Sequence, residues 1–226
     1  MRIIKDADVR REELLDTALS LFLEHGYERT SVEQITTTVG VAKGTFYHYF
    51  AAKQDLLEQL VQRFTEDIFA ETERASAVSN GSAVERLRGL LVAGSQVKLG
   101  RKQETVMLTR PLFTPENRAL LSRLMEGWIE RTRPLIREII EQGIAEGTFD
   151  VPYPAAMTEL WLSLWYDYGI RVSRLFFSAQ DDPCRVDELV EAIQALQVAE
   201  ERILGLAPGA LDMNIVEPVR VVFGKN

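Results

Sequence analysis

Apolar residues recur at intervals of three and four along nearly the whole chain, with no sustained alternation, which predicts an all-α protein. Leu14, Ala18, Leu21 and Phe22 form one stripe, and Gly26 is placed to close that helix. A short second helix is expected from Ser31. Ser31 and Gln34 stand at capping-box spacing, and Val32, Ile35 and Val39 follow one face. Gly40 permits a sharp turn, and a third short helix is expected over residues 42–49. Phe46, Tyr49 and Phe50 have the spacing to anchor it on the first helix.

From residue 52 the pattern lengthens. Helices are predicted over residues 52–75, 83–98 and 102–110, with Ser79-Asn80-Gly81-Ser82 as a linker. Thr114-Pro115 opens a longer helix running to Gly147, with a kink expected at Pro134. Two more follow over about 154–177 and 183–205. The tail carries Ile215-Val216 and the run from Val219 to Phe223, and is expected to form an extended arm. The organisation is therefore an N-terminal three-helix head (residues 1–52), a larger helical domain (53–206) and a C-terminal tail (207–226).

Composition narrows the function. No apolar run reaches the roughly 18 residues a membrane span needs, and the charged stretch from Met1 to Arg11 is unlike a secretory signal. A single cysteine, Cys184, allows no internal disulfide or thiolate-rich metal site. His25 and His48 do not pair at metal-ligand spacing, so no metal and no cofactor is expected, and a cytoplasmic location is. Neither a G-x-S-x-G elbow nor a G-x-G-x-x-G turn is present. The stretch from Gly94 to Lys102 comes nearest to a P-loop but lacks its G-K-[ST] end. An enzyme is not expected.

Net charge is −8, which at first argues against nucleic acid. Its distribution changes the picture: residues 1–53 hold seven Lys/Arg and eight Asp/Glu, net −1, and the remainder holds 19 and 26, net −7. The acidity sits mainly in the second part, which phosphates would repel. A head at −1 still predicts modest non-specific affinity.

Two short helices joined by a tight glycine turn form a helix-turn-helix, whose second member enters a major groove. Lys43, Thr45, Tyr47 and His48 crowd several hydrogen-bonding chemistries onto barely two turns. Gly44 costs helix stability but lets a phosphate approach the backbone. Lys53 opens the next helix, whose N–H groups also favour anions. Taken alone, Tyr47, His48 and Tyr49 read as aromatic packing before DNA contact.

The segment Thr30-Ser31-Val32-Glu33-Gln34-Ile35, then Val39 through Phe50, then Lys53-Gln54-Asp55-Leu56, resembles the DNA-binding head of the TetR family. The helix before it, with Ala18, Leu21-Phe22 and His25-Gly26-Tyr27, is similar to that family's first helix. Beyond residue 57 the resemblance rests on helical content, length and the stretch from Gly143 to Phe149. It implies a homodimer joined through the last two long helices (154–177 and 183–205) and a palindromic double-stranded operator. It also implies repression relieved by a small-molecule effector among the middle helices. By position, Lys43, Gly44, Thr45, Tyr47, His48 and Lys53 would contact DNA, with Thr30, Ser31 and Thr36 near the phosphate backbone. Arg2, Lys5, Arg10 and Arg11 are interspersed with acids, unlike a basic arm.

Trp161, Trp165 and Tyr168 recur along one helix. They are either domain core or dimer seam, or the wall of an aromatic pocket with Trp128 and Met107 opposite, suited to a flat apolar or cationic ligand. Two alternatives to the ligand-responsive repressor stand beside it: the same head with a protein-binding second domain, and a helical protein that binds no DNA.

Overall fold

The computed structural model describes residues 7–78 and 81–224, and all regular structure among them is helical. Arg2, Lys5, Ser79 and Asn80 lie outside the described residues. The elements are α1 (Ala7–His25), α2 (Val32–Val39), α3 (Lys43–Tyr49), α4 (Lys53–Val78), α5 (Ala83–Gly100) and α6 (Lys102–Thr109). Two 3₁₀ turns (Arg110–Phe113 and Pro115–Asn117) lead into α7 (Arg118–Ala145). Then come α8 (Pro154–Asp181), a 3₁₀ turn (Pro183–Arg185), α9 (Val186–Ile203) and α10 (Val216–Val222). The helix expected to kink at Pro134 spans Arg118–Ala145, with that proline in its interior.

The chain divides into two compact units. The first comprises the residues up to Asp67 together with Arg101–Leu121; the second comprises Ile68–Gly100 and the residues from Ser122 onward. The first unit buries the α1 stripe (Leu14, Leu15, Ala18, Phe22) along with Ile35, Phe46, Phe50, Leu56, Leu57 and Leu60. Each such Leu, Ile or Phe contributes about 1.5–3 kcal/mol by leaving water, which offsets the poor helix propensity of Thr36-Thr37-Thr38 in α2.

In the second unit, Leu87, Leu91, Ile136, Ile139, Ile140, Trp161, Leu162, Leu204 and Leu211 form one core cluster. A smaller cluster joins Ala179, Val186, Leu189 and Val190 to Val219 and Phe223 of the tail. The tail is therefore a helix and not the extended arm its β-branched run suggests. Val219 and Phe223 stand at i,i+4, and burying both against α8 and α9, with Phe223 edge-on to Phe176 at 5.1 Å, outweighs local strand preference. The chain reaches that position through a loop held by Glu201, whose carboxylate accepts the N–H groups of Gly209 (3.0 Å) and Leu211 (2.9 Å).

Candidate nucleic-acid interface

The turn into the third helix is built by local chemistry. Ser31 Oγ accepts the Gln34 N–H at 3.1 Å while Gln34 Oε1 accepts the Ser31 N–H at 2.7 Å, closing the predicted capping box. Gly40 adopts φ 76°, a left-handed conformation that favours glycine. Its N–H donates to the Thr37 carbonyl, and Val41 N–H donates to the Thr36 carbonyl, so α2 ends on a satisfied cap. The chain then enters α3 at a fixed angle.

Only seven residues long, α3 is held by Phe46, which has no exposed surface, and by Phe50 just after it. On its outer side Lys43, Gly44, Tyr47 and His48 are exposed and Thr45 is half-buried. Tyr47 leaves 51 % of its surface in solvent. A Cβ built on Gly44 meets nothing within 4 Å, so packing within this chain does not require glycine there.

Four other predicted site residues have internal hydrogen bonds. Ser31 is exposed but its hydroxyl caps α2. Thr30 is fully buried, and its hydroxyl donates to the carbonyls of Gly26 (2.9 Å) and Leu21 (3.3 Å). Thr36, also buried, donates to the carbonyls of Val32 and Glu33 in its own helix. Lys53 Nζ donates to the carbonyls of Tyr27 (2.8 Å), Thr30 (3.0 Å) and Glu28 (3.5 Å) and lies 4.2 Å from the centre of the Tyr27 ring. Burial holds its pKa below the usual lysine value, partly countered by the charge of Glu28. Arg10 and Arg11 are also engaged: Arg10 pairs with Glu13 at 2.7 Å, and Arg11 with Glu12 at 3.0 Å and with Gln59.

Sequence reasoning missed Gln34 as a surface group, and Thr37 and Thr38 are exposed beside it. With His25 they line an open hollow of about 440 Å³ between the end of α1 and α2. The signal was available, since these positions lie off the stripe that Val32, Ile35 and Val39 define.

The predicted ligand residues divide between the two units. Met107 lies on α6 in the first, and Trp128, Trp161, Trp165 and Tyr168 lie in the second. Trp161 is core, with 1 % of its surface exposed. Trp165 stacks face to face on Trp128, ring centres 4.1 Å apart and planes 9° apart, and Phe69 extends the group at 6.0 Å from Trp128. Lys98 Nζ lies 5.6 Å from the Trp165 ring centre, and the Arg131 guanidinium sits 4.1 Å over Phe69. Burial holds the Lys98 pKa below the usual lysine value. Tyr168 is half-buried on the same helix as Trp165.

A short helix anchored by one aromatic face, presenting a donor-rich outer face after an αL glycine turn, defines the head of a helix-turn-helix DNA-binding regulator. Residues 14–60 match the family described as bacterial regulatory proteins, tetR family. The chain is 29 % identical over 179 residues to the HTH-type transcriptional repressor KstR2 of Mycobacterium tuberculosis, covering 74 % of this chain and 86 % of that protein. It is also 29 % identical over 138 residues to the HTH-type transcriptional repressor AcnR of Corynebacterium diphtheriae, covering 61 % and 65 %. Among solved structures, SmeT, repressor of the Stenotrophomonas maltophilia multidrug efflux pump SmeDEF, shares the fold. That match has a TM-score of 0.58 at 20 % identity, covering 91 % of this chain and 95 % of that one.

Proposed function

We propose that the protein is a dimeric transcriptional repressor that places α3 of each protomer in a major groove of a palindromic operator and lets go when a small molecule binds its second unit. The observation that carries this reading is the outer face of α3, where Lys43, Gly44, Tyr47 and His48 stand exposed on a helix anchored from its other side by buried Phe46. Lys43 would meet phosphate, Tyr47 and His48 would meet phosphate or base edges, and Gly44 would let the backbone approach. Residues 1–52 would act as the DNA-binding domain and residues 53–206 as the effector and dimerisation domain.

Dimerisation through residues 154–177 and 183–205 fits two apolar side chains left in solvent on adjacent helices, Leu160 on α8 and Val198 on α9. For the effector, the stacked Trp128 and Trp165 with half-buried Tyr168 are the contact residues we assign, suited to a flat ring system. Trp161 would back that wall from the core. Effector and DNA would then oppose each other through a coupling free energy of about 1–3 kcal/mol, equal in both directions.

Selection from a random duplex library with the purified chain, at stated salt, tests the reading. A palindromic consensus is expected. A folded dimer that enriches no sequence would overturn it. The selected duplex then serves in an effector screen, in which a true effector both raises the melting temperature and releases the duplex.

A further inference from the structure

Lys53 sits in the first turn of α4, a place where a free lysine would be ready for phosphate. Its geometry gives it another task. An ammonium is a compact donor with three N–H bonds, and here three backbone carbonyls converge on it, those of Tyr27, Glu28 and Thr30, at 2.8–3.5 Å. All three belong to the turn that links α1 to α2. The Tyr27 ring lies beneath the same ammonium, 4.2 Å from centre to nitrogen. That ring packs edge-on against Phe22 of α1, centres 5.2 Å apart, so the clamp reaches the core of the head.

The next residue secures the same turn of α4 on another side. Gln54 Nε2 donates to Asn117 Oδ1 at 2.6 Å, and buried Asn117 donates in turn to the Pro111 carbonyl at 2.9 Å. Turning the Lys53 ammonium outward to a phosphate would remove these three hydrogen bonds between α4 and the α1–α2 turn, leaving the Tyr27 carbonyl with the Thr30 N–H alone.

We propose that Lys53 is a positioning residue, clamping the α1–α2 turn to the first turn of α4 so that α2 and α3 present their outer face at the angle DNA requires, without itself touching phosphate. The consequence for DNA rests on the reading role proposed for α3; the clamp does not.

The test uses the 226-residue chain, with Lys53→Met and Lys53→Arg as variants. Hydrogen exchange of the wild-type and Lys53→Met proteins is compared first. Loss of amide protection over residues 26–35, with α8 and α9 protection retained, is expected; unchanged protection overturns the clamp. Binding is then measured against a duplex recovered from the random library and a scrambled duplex of equal length, over a range of salt. A positioning role predicts that Lys53→Met loses affinity for the selected duplex alone, with the salt slope kept and no rescue by Lys53→Arg, whose planar fork does not match a three-carbonyl point. A phosphate contact instead predicts weaker binding to both duplexes, a slope shallower by about 0.9 and rescue by Lys53→Arg, and that result overturns the proposal. A lower melting temperature with selective affinity intact overturns it too, since that marks a purely structural lysine. If the wild-type chain enriches no duplex, the reading role of α3 fails, and hydrogen exchange still decides the clamp.

Discussion

Phe149 lies directly across Gly143, so closely that a Cβ on the glycine would come within 2.4 Å of the ring. The Phe149 and Thr148 N–H groups both donate to the Gly143 carbonyl, folding the chain back as α7 ends, and the ring is buried in the core of the second unit. Nearby Glu146 accepts the Ala83 N–H at 2.9 Å and thereby caps the start of α5. The stretch from Gly143 to Phe149 is thus a packing device with two helix ends depending on it.

Gly143→Ala should therefore destabilise the protein by about 1–3 kcal/mol, the usual cost of overpacking a filled core. Thermal and urea unfolding would read it. Affinity for the selected duplex, per folded dimer, should stay at the wild-type value.

Gly44→Ala should do the opposite. The new methyl meets open space, and alanine improves helix propensity by up to about 1 kcal/mol, so the melting temperature should rise slightly. Duplex affinity should fall. A variant that binds as tightly as wild type would remove the close-approach explanation for this glycine.

On the same face, Tyr47→Ala should weaken selected-duplex binding by about 1 kcal/mol or more, with circular dichroism and melting unchanged. Lys43→Met should reduce the salt slope by about 0.9. An unaltered slope would show that Lys43 does not meet phosphate.

Glu200 on α9 offers a test by pH. It is buried, neither carboxylate oxygen has a hydrogen-bond partner among the described residues, and its pKa is pushed up to about 8 by burial and then by the charge of Glu201. The unfolded chain releases this proton near 4.5, so between the two values the folded state holds one proton more. Its contribution to stability is fully present below pH 4.5 and is lost as pH rises to about 8. The unfolding free energy of wild type should thus fall relative to Glu200→Gln across that window. Parallel curves for the two proteins would contradict the burial argument.

The head was legible where its chemistry is local. Ser31, Gln34 and Gly40 state their roles within a few residues of each other, and the outward set on α3 follows from helical phase once Phe46 is assigned to the core. Thr30, Thr36 and Lys53 were not legible in the same way. A hydroxyl or ammonium near a DNA-reading helix suits phosphate on residue type alone, and only the fold reveals that carbonyls already take its protons. For Lys53 those carbonyls lie 23–26 positions earlier in the chain. The tail misled for a related reason, because Ile215, Val216, Val219, Val221 and Val222 look strand-like until Val219 and Phe223 find the surface that buries them. Two tryptophans one helical turn apart proved unlike each other, with Trp161 in the core and Trp165 stacked on Trp128. Sequence periodicity gives both the same phase.

In α3, the residues that hold the helix and the residues that face outward share no member. Phe46 and Phe50 fasten it from the buried side, while Lys43, Gly44, Tyr47 and His48 are exposed, Tyr47 touching the anchor only edge-on at Phe46. Mutations can therefore accumulate on the outer set with little penalty to folding. A duplicated gene could drift toward a new target sequence through a handful of substitutions on a scaffold that stays put. The same separation recommends these four positions for library design, where altered recognition can be sought without first rescuing stability.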